Sequence, residues 1–164
     1  MVQRRLTLRL IAGLLGCGAL TGAPRAQLPV EVHKNQTELL QNADAGLAAN
    51  KKLVFDFWRE VLQAHRAERI DEYVAADFVE HDPTLPNGRA GIAERVGRLP
   101  EQPVKPTLDE LVSIVAEGDR VVVATRRELP DLAEEGQTYT TTWFDLFRID
   151  GGKIVEHWNF GPRD

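Results

Sequence analysis

A pair of glycines set between two β-like runs constrains this chain more than any other feature. The runs Trp143-Phe-Asp-Leu-Phe-Arg-Ile-Asp150 and Lys153-Ile-Val-Glu-His-Trp158 are rich in aromatic and β-branched residues, and Gly151-Gly152 joins them. That pattern reads as a β-hairpin, because glycine allows the tight reversal and the flanks favour extended backbone. Alternation places Trp143, Asp145, Phe147 and Ile149 on one face, with Phe144, Leu146 and Arg148 on the other. Asp145 therefore sits between aromatic neighbours, where a carboxylate costs free energy unless it is partnered. A partly desolvated carboxylate is suited to act as a general base.

The turn sets the partner of Asp145. In a type I turn with a glycine bulge, Ile149 pairs with Lys153, which puts Asp145 opposite His157 and Trp143 opposite Asn159. A carboxylate beside an imidazole orients it and fixes its tautomer. A two-residue turn shifts the pairing by one residue and sets Asp145 against Glu156 or Trp158.

The rest of the chain supplies a frame for this hairpin. Residues 106–117, 120–129, 137–149 and 153–160 are strand-like, separated by Gly118-Asp119, residues 130–136 and Asp150-Gly-Gly152. Upstream the period is helical. Val54, Trp58, Val61, Leu62 and His65, widened by Leu53 and Phe57, predict a helix over 48–65 in which Trp58 is a core residue. A short helix follows at 70–75, then a turn through 77–83, where Pro83 bars Asp82 from a helix, and a third helix at 89–99 ended by Pro100. Helices first and strands afterwards indicate an α+β domain, with N-terminal helices packed on a curved antiparallel sheet.

Residues 1–27 read as an export signal, with Arg4 and Arg5 ahead of an apolar core and small residues after it. Leu14-Leu-Gly-Cys17 offers a lipobox, in which a lipidated Cys17 would anchor the mature chain. Plain periplasmic secretion, with Cys17 a small apolar leader residue, is the alternative. Residues 28–47 are polar and weakly patterned, as in a tether that leaves His33 in solvent, and one domain occupies 48–164. Cys17 is the only cysteine, so the domain has neither a disulfide nor a thiol nucleophile. The net charge is −5, and loss of Arg4, Arg5, Arg9 and Arg25 with the leader makes the domain more acidic still. That balance argues against binding nucleic acid or anionic lipid, leaving a lipid on Cys17 as the only route to a membrane.

There is no Gly-x-Ser-x-Gly elbow and no glycine-rich phosphate loop, and Ser113 is the only serine. His65 closes the first predicted helix, a favourable place for a cation. His81 and His157 each follow an acid in a packed segment, and His81 lies in a turn before proline, a common setting for a working side chain. His81, Asp145 and His157 lack the short histidine spacing of a metal site, so no metal is expected.

Phe78-Val-Glu-His-Asp-Pro83 with Asn87-Gly88, together with Asp145 to Asn159, resembles the SnoaL-like polyketide cyclase and predicted aldol-condensation branch of the nuclear transport factor 2-like superfamily. The resemblance implies a cone-shaped α+β barrel with a pocket for a small organic molecule, acid–base chemistry without a cofactor, and a homodimer formed through the outer sheet face at Phe144 and Leu146. It also implies that His81 and Asp145 face the pocket, and the fold hosts non-catalytic binders as well as isomerases, cyclases and lyases. On this reading Asp145 is the base, His157 orients it, and His81 donates to an oxyanion. Tyr73, Trp143, Trp158 and Asn159 line the pocket.

Overall fold

The computed structural model describes residues 28–159. The leader, Cys17 and Phe160 lie outside the described residues. Asp44 starts the main helix, α2 (Ala45–Phe57), by accepting from the backbone N–H groups of Gly46 and Leu47 at 2.7 and 3.1 Å. This satisfies donors that a helix start leaves without partners. The helix runs on as a π-helical turn over Trp58–Gln63, marked by an Ala64 N–H to Arg59 carbonyl bond. A single α-helix over 48–65 is therefore not what forms. Such turns widen the helix and re-aim the side chains within it.

A short α1 (Gln36–Leu39) precedes this unit, and the segment expected to be a tether is docked on the domain. Gln36 is buried and exchanges two hydrogen bonds with the backbone of Leu108, at 2.7 and 2.8 Å. The backbone N–H groups of Val30 and His33 reach Thr140 and Leu111. Polar side chains were thus buried through backbone partners that composition does not reveal.

A 3₁₀ turn leads into α3 (Ile70–Tyr73), β1 (Val74–Glu80) and α4 (Arg89–Gly97). Then come β2 (Leu111–Glu117), β3 (Arg120–Pro130), β4 (Thr138–Asp150) and β5 (Lys153–Asn159). The sheet is open, in the order β1-β5-β4-β3-β2, and β1 runs parallel to β5 while the other pairs are antiparallel. The fold is the expected α+β type, but the sheet is mixed, because 74–80 forms a strand where the end of a short helix and a turn were expected.

Val54, Phe57 and Val61 from the helical layer meet Val121, Val123, Phe147 and Ile154 from the sheet in one core. Phe57 packs edge-on against Phe147, with ring centroids 6.3 Å apart. Above this floor the layers diverge and leave a cavity of about 410 Å³.

Candidate active site

Strand alternation on β1 decides which of its groups reach the cavity. Phe78, Glu80 and Asp82 point inward and are buried, while Val79 and His81 point outward and are exposed. Parallel pairing sets Glu80 beside His157 on β5. The imidazole then lies between two carboxylates. Its Nδ1–H donates to both oxygens of Glu80, at 2.8 and 2.9 Å, and its Nε2–H donates to Oδ1 of Asp145 at 3.1 Å. The ring of Phe147 stacks on it with centroids 4.7 Å apart.

Glu80 is itself fixed. The Asp82 N–H donates to its Oε1 at 2.9 Å, and its own N–H donates to Oδ1 of Asn87 at 2.9 Å. Burial pulls the His157 pKa down, but its hydrogen bonds to Asp145 and Glu80 and their charges outweigh it, so the group is pushed up to about 9. At neutral pH it is an imidazolium with both N–H groups committed.

The hairpin register differs from both expected ones. Gly151 and Gly152 have φ of +54° and +73° and form a two-residue turn, so Asp150 pairs with Lys153. The register then shifts between Ile149↔Ile154 and Arg148↔Glu156, which leaves Val155 as an extra residue in β5. Asp145 consequently faces Asn159, and Phe147 faces His157. The displacement from the bulged-turn expectation is two residues, which preserves faces, so Asp145 and His157 meet diagonally rather than directly. Trp143 lies beyond the paired end of β5 and faces Thr125 on β3.

Asp145, His157, Trp143 and Asn159 all line the cavity, and Asp145 is only 3% exposed. His81 does not converge with them. It stacks on Trp158 on the outer face, with centroids 4.6 Å and planes 6° apart, and its Nε2 lies 3.0 Å from Glu156. The oxyanion role expected of His81 thus has no geometry here, because residue 81 follows an inward-facing Glu80 on extended backbone. Trp158 is on that outer face too, under the Arg120 guanidinium. Tyr73 is buried away from the cavity and donates its hydroxyl to Glu60 at 2.7 Å. Burial and that carboxylate push its pKa upward.

Among the cavity residues that had not been singled out as site residues are Glu80, Trp58, Thr125 and Arg127. A period-two reading of Phe78, Glu80 and Asp82 would have found the first. Trp58 is turned into the cavity from the π-helical segment and is not simply core.

The polar side of the cavity is unsatisfied. Trp58 Nε1, Thr125 Oγ1, Arg127 Nε, Asp145 Oδ2 and Asn159 Oδ1 are buried with no hydrogen-bond partner among the described residues, and all five residues line the same space. Among the described residues only His33, Arg66 and Arg120 carry other such atoms. Buried polar groups are normally paired, so this concentration marks a place for a polar ligand. The apolar part of the lining comes from Phe57, Leu62, Ile92, Val96 and Leu108. No group of three or more His, Cys, Asp or Glu side chains among the described residues is placed to hold a metal ion.

A model of the SnoaL-like domain matches residues 54–157, a span that holds β1, β4, most of β5 and the imidazolium between its carboxylates. The chain belongs to the SnoaL-like domain family. Among solved structures, it is similar to a nuclear transport factor 2-like protein of unknown function from Mesorhizobium loti, at 19% identity and TM-score 0.50 over 74% of this chain and 98% of that one. It is also similar to an LEH-like epoxide hydrolase from M. tuberculosis, at 14% identity and TM-score 0.50 over 73% of this chain and 82% of that one. At these identities the likeness is one of fold. Comparison with curated proteins gives no match. A SnoaL-like pocket with a polar and an apolar side is a small-molecule site.

Proposed function

We propose that this SnoaL-like domain is an exported acid–base enzyme that acts, without a cofactor, on a carbonyl-bearing organic molecule. One observation carries the reading. Asp145 has one oxygen tied to a protonated His157 and the other, Oδ2, buried, unpartnered and on the cavity wall. A base needs that arrangement, in which one lone pair is free and the rotamer is locked.

Oδ2 of Asp145 would take a proton from the carbon next to the carbonyl. The C–H electron pair becomes the C=C bond of an enolate, and the carbonyl π pair moves onto oxygen. The N–H of Trp58 and the hydroxyl of Thr125 donate to that oxygen, in the place expected of His81. The proton then returns from Asp145 to carbon, which completes an isomerisation or primes a cyclisation. His157, held by Glu80, fixes the orientation of Asp145.

Proton exchange tests this. Deuterium uptake next to the carbonyl of small ketones, followed by NMR, is expected to fall about 100-fold or more in Asp145→Asn. Equal rates in wild type and variant would leave a ligand-binding protein. The neutralising bridge of His157 favours that second reading, since it lets two carboxylates stay buried with no chemistry to perform. Export has a separate test. The mature N-terminus, read by mass spectrometry after expression in a bacterial host, carries lipid on Cys17 or begins near residue 27–28.

A further inference from the structure

The other end of the same cavity holds a cation with no counter-ion among the described residues. Arg127, on the inward face of β3, lines the cavity with its guanidinium 5.2 Å from the ring centroid of Trp143, and its Nε is buried without a partner. The nearby acids are committed elsewhere. Glu110 holds Arg126 through two hydrogen bonds, at 2.8 and 3.2 Å, and Glu128 accepts from Thr138 at 2.8 Å. Deeper in, Glu80 and Asp145 hold His157, and Asp82 accepts from Thr84.

The arginines elsewhere among the described residues show how unusual this is. Arg59, Arg66, Arg69, Arg89, Arg98, Arg120, Arg126 and Arg148 each have a carboxylate within ion-pair distance. Arg127 and Arg95 do not, and both line this cavity, Arg95 from its exposed rim. The Trp143 ring gives the cation a cation–π neighbour without using its N–H donors, and a guanidinium fork suits a carboxylate.

We infer that the ligand of this cavity is an organic anion whose carboxylate is held by Arg127, with Arg95 drawing it in at the rim. Geometry adds the shape. In the β3–β4 ladder Val123 faces Asp145, and Arg127 is four residues further along β3, about 13 Å of strand away. A molecule touching both ends is elongated, with its apolar body along Phe57, Leu62 and Val96. In the acid–base reading its enolisable carbon lies at Asp145. That placement rests on the proposed function, whereas the anion site does not.

The test is calorimetric titration of the protein with ω-phenylalkanoates of increasing chain length, each beside its methyl ester. Wild type is expected to bind the carboxylates at least about tenfold more tightly than the esters, with a best length. Arg127→Met should abolish the preference while keeping the ester affinity, and Arg127→Lys, which keeps the charge without the flat fork, should retain part of it. Acids and esters that bind alike at every length, binding of neither, or a preference that survives Arg127→Met would overturn the inference. Asp145→Asn separates the two readings. A carboxylate preference kept in that variant, with no proton exchange in wild type, would leave the anion site standing on a non-catalytic binder.

Discussion

His157 is the residue on which the site's charge balance turns, and its linkage to pH has a definite sign. Its pKa is about 9 in the folded chain, against an ordinary value of 6.5. Below pH 6.5 folded and unfolded chains are both protonated there, and the stabilisation from Asp145 and Glu80 is fully present. Between 6.5 and 9 the unfolded chain loses the proton while the folded chain keeps it, so this contribution declines with rising pH, by roughly 3 kcal/mol in all. Urea unfolding of wild type across that window should show the decline, and His157→Gln should show none of it. The variant leaves two buried carboxylates without their shared cation, so at pH 7 it is expected to be less stable by about 3–5 kcal/mol. Proton exchange, if Asp145 acts as proposed, should fall as pH passes 9 and the imidazolium is lost.

At the level of elements, two glycines hold the site in shape for different reasons. Gly152 sits at φ +73° in the hairpin turn, where a β-branched side chain is strained, so Gly152→Val should cost about 1–2 kcal/mol in chemical unfolding. Gly91, in α4, has no room for a side chain: an added Cβ would lie 2.5 Å from Cβ of Pro86. Gly91→Ala should therefore push α4 off the 82–86 loop, at about 1–3 kcal/mol, and enlarge the cavity that Pro86 and Ile92 line. The hairpin also shows what could be read in advance. Side-chain alternation has a period of two, so the face of Asp145 and His157 was legible even though the register was off by two residues. The bulge at Val155 was not, because an extra residue in a strand leaves no mark in the hydrophobic pattern. His81 was misplaced because Pro83 and the acids around it made 77–82 look like a turn, and parallel pairing with β5 then outweighed local propensity. Arg127 was invisible for another reason: a cation on a strand is ordinarily solvated, and only the packing shows that its neighbours' acids are engaged.

The whole molecule leaves one face to account for. On the outer side of the sheet, Val115, Val122, Leu146 and Trp158 lie in a single row across β2, β3, β4 and β5. Beside them Phe144 is 59% exposed. An apolar row of this kind, on a face that the helices do not cover, is costly in water and is a surface for association. We propose that a second copy of the chain covers it, as the family resemblance led us to expect, with Phe144 near the centre of contact. Light scattering should then give twice the chain mass for wild type and a single chain mass for Phe144→Asp, since a buried unpaired carboxylate opposes association more than it disturbs an exposed position. Because Phe144 and Asp145 point to opposite faces of β4, the variant should keep its ligand affinity as a monomer. A wild type that is already a monomer would end the dimer proposal. A variant that loses mass and ligand binding together would mean that the pocket depends on the second copy for its shape.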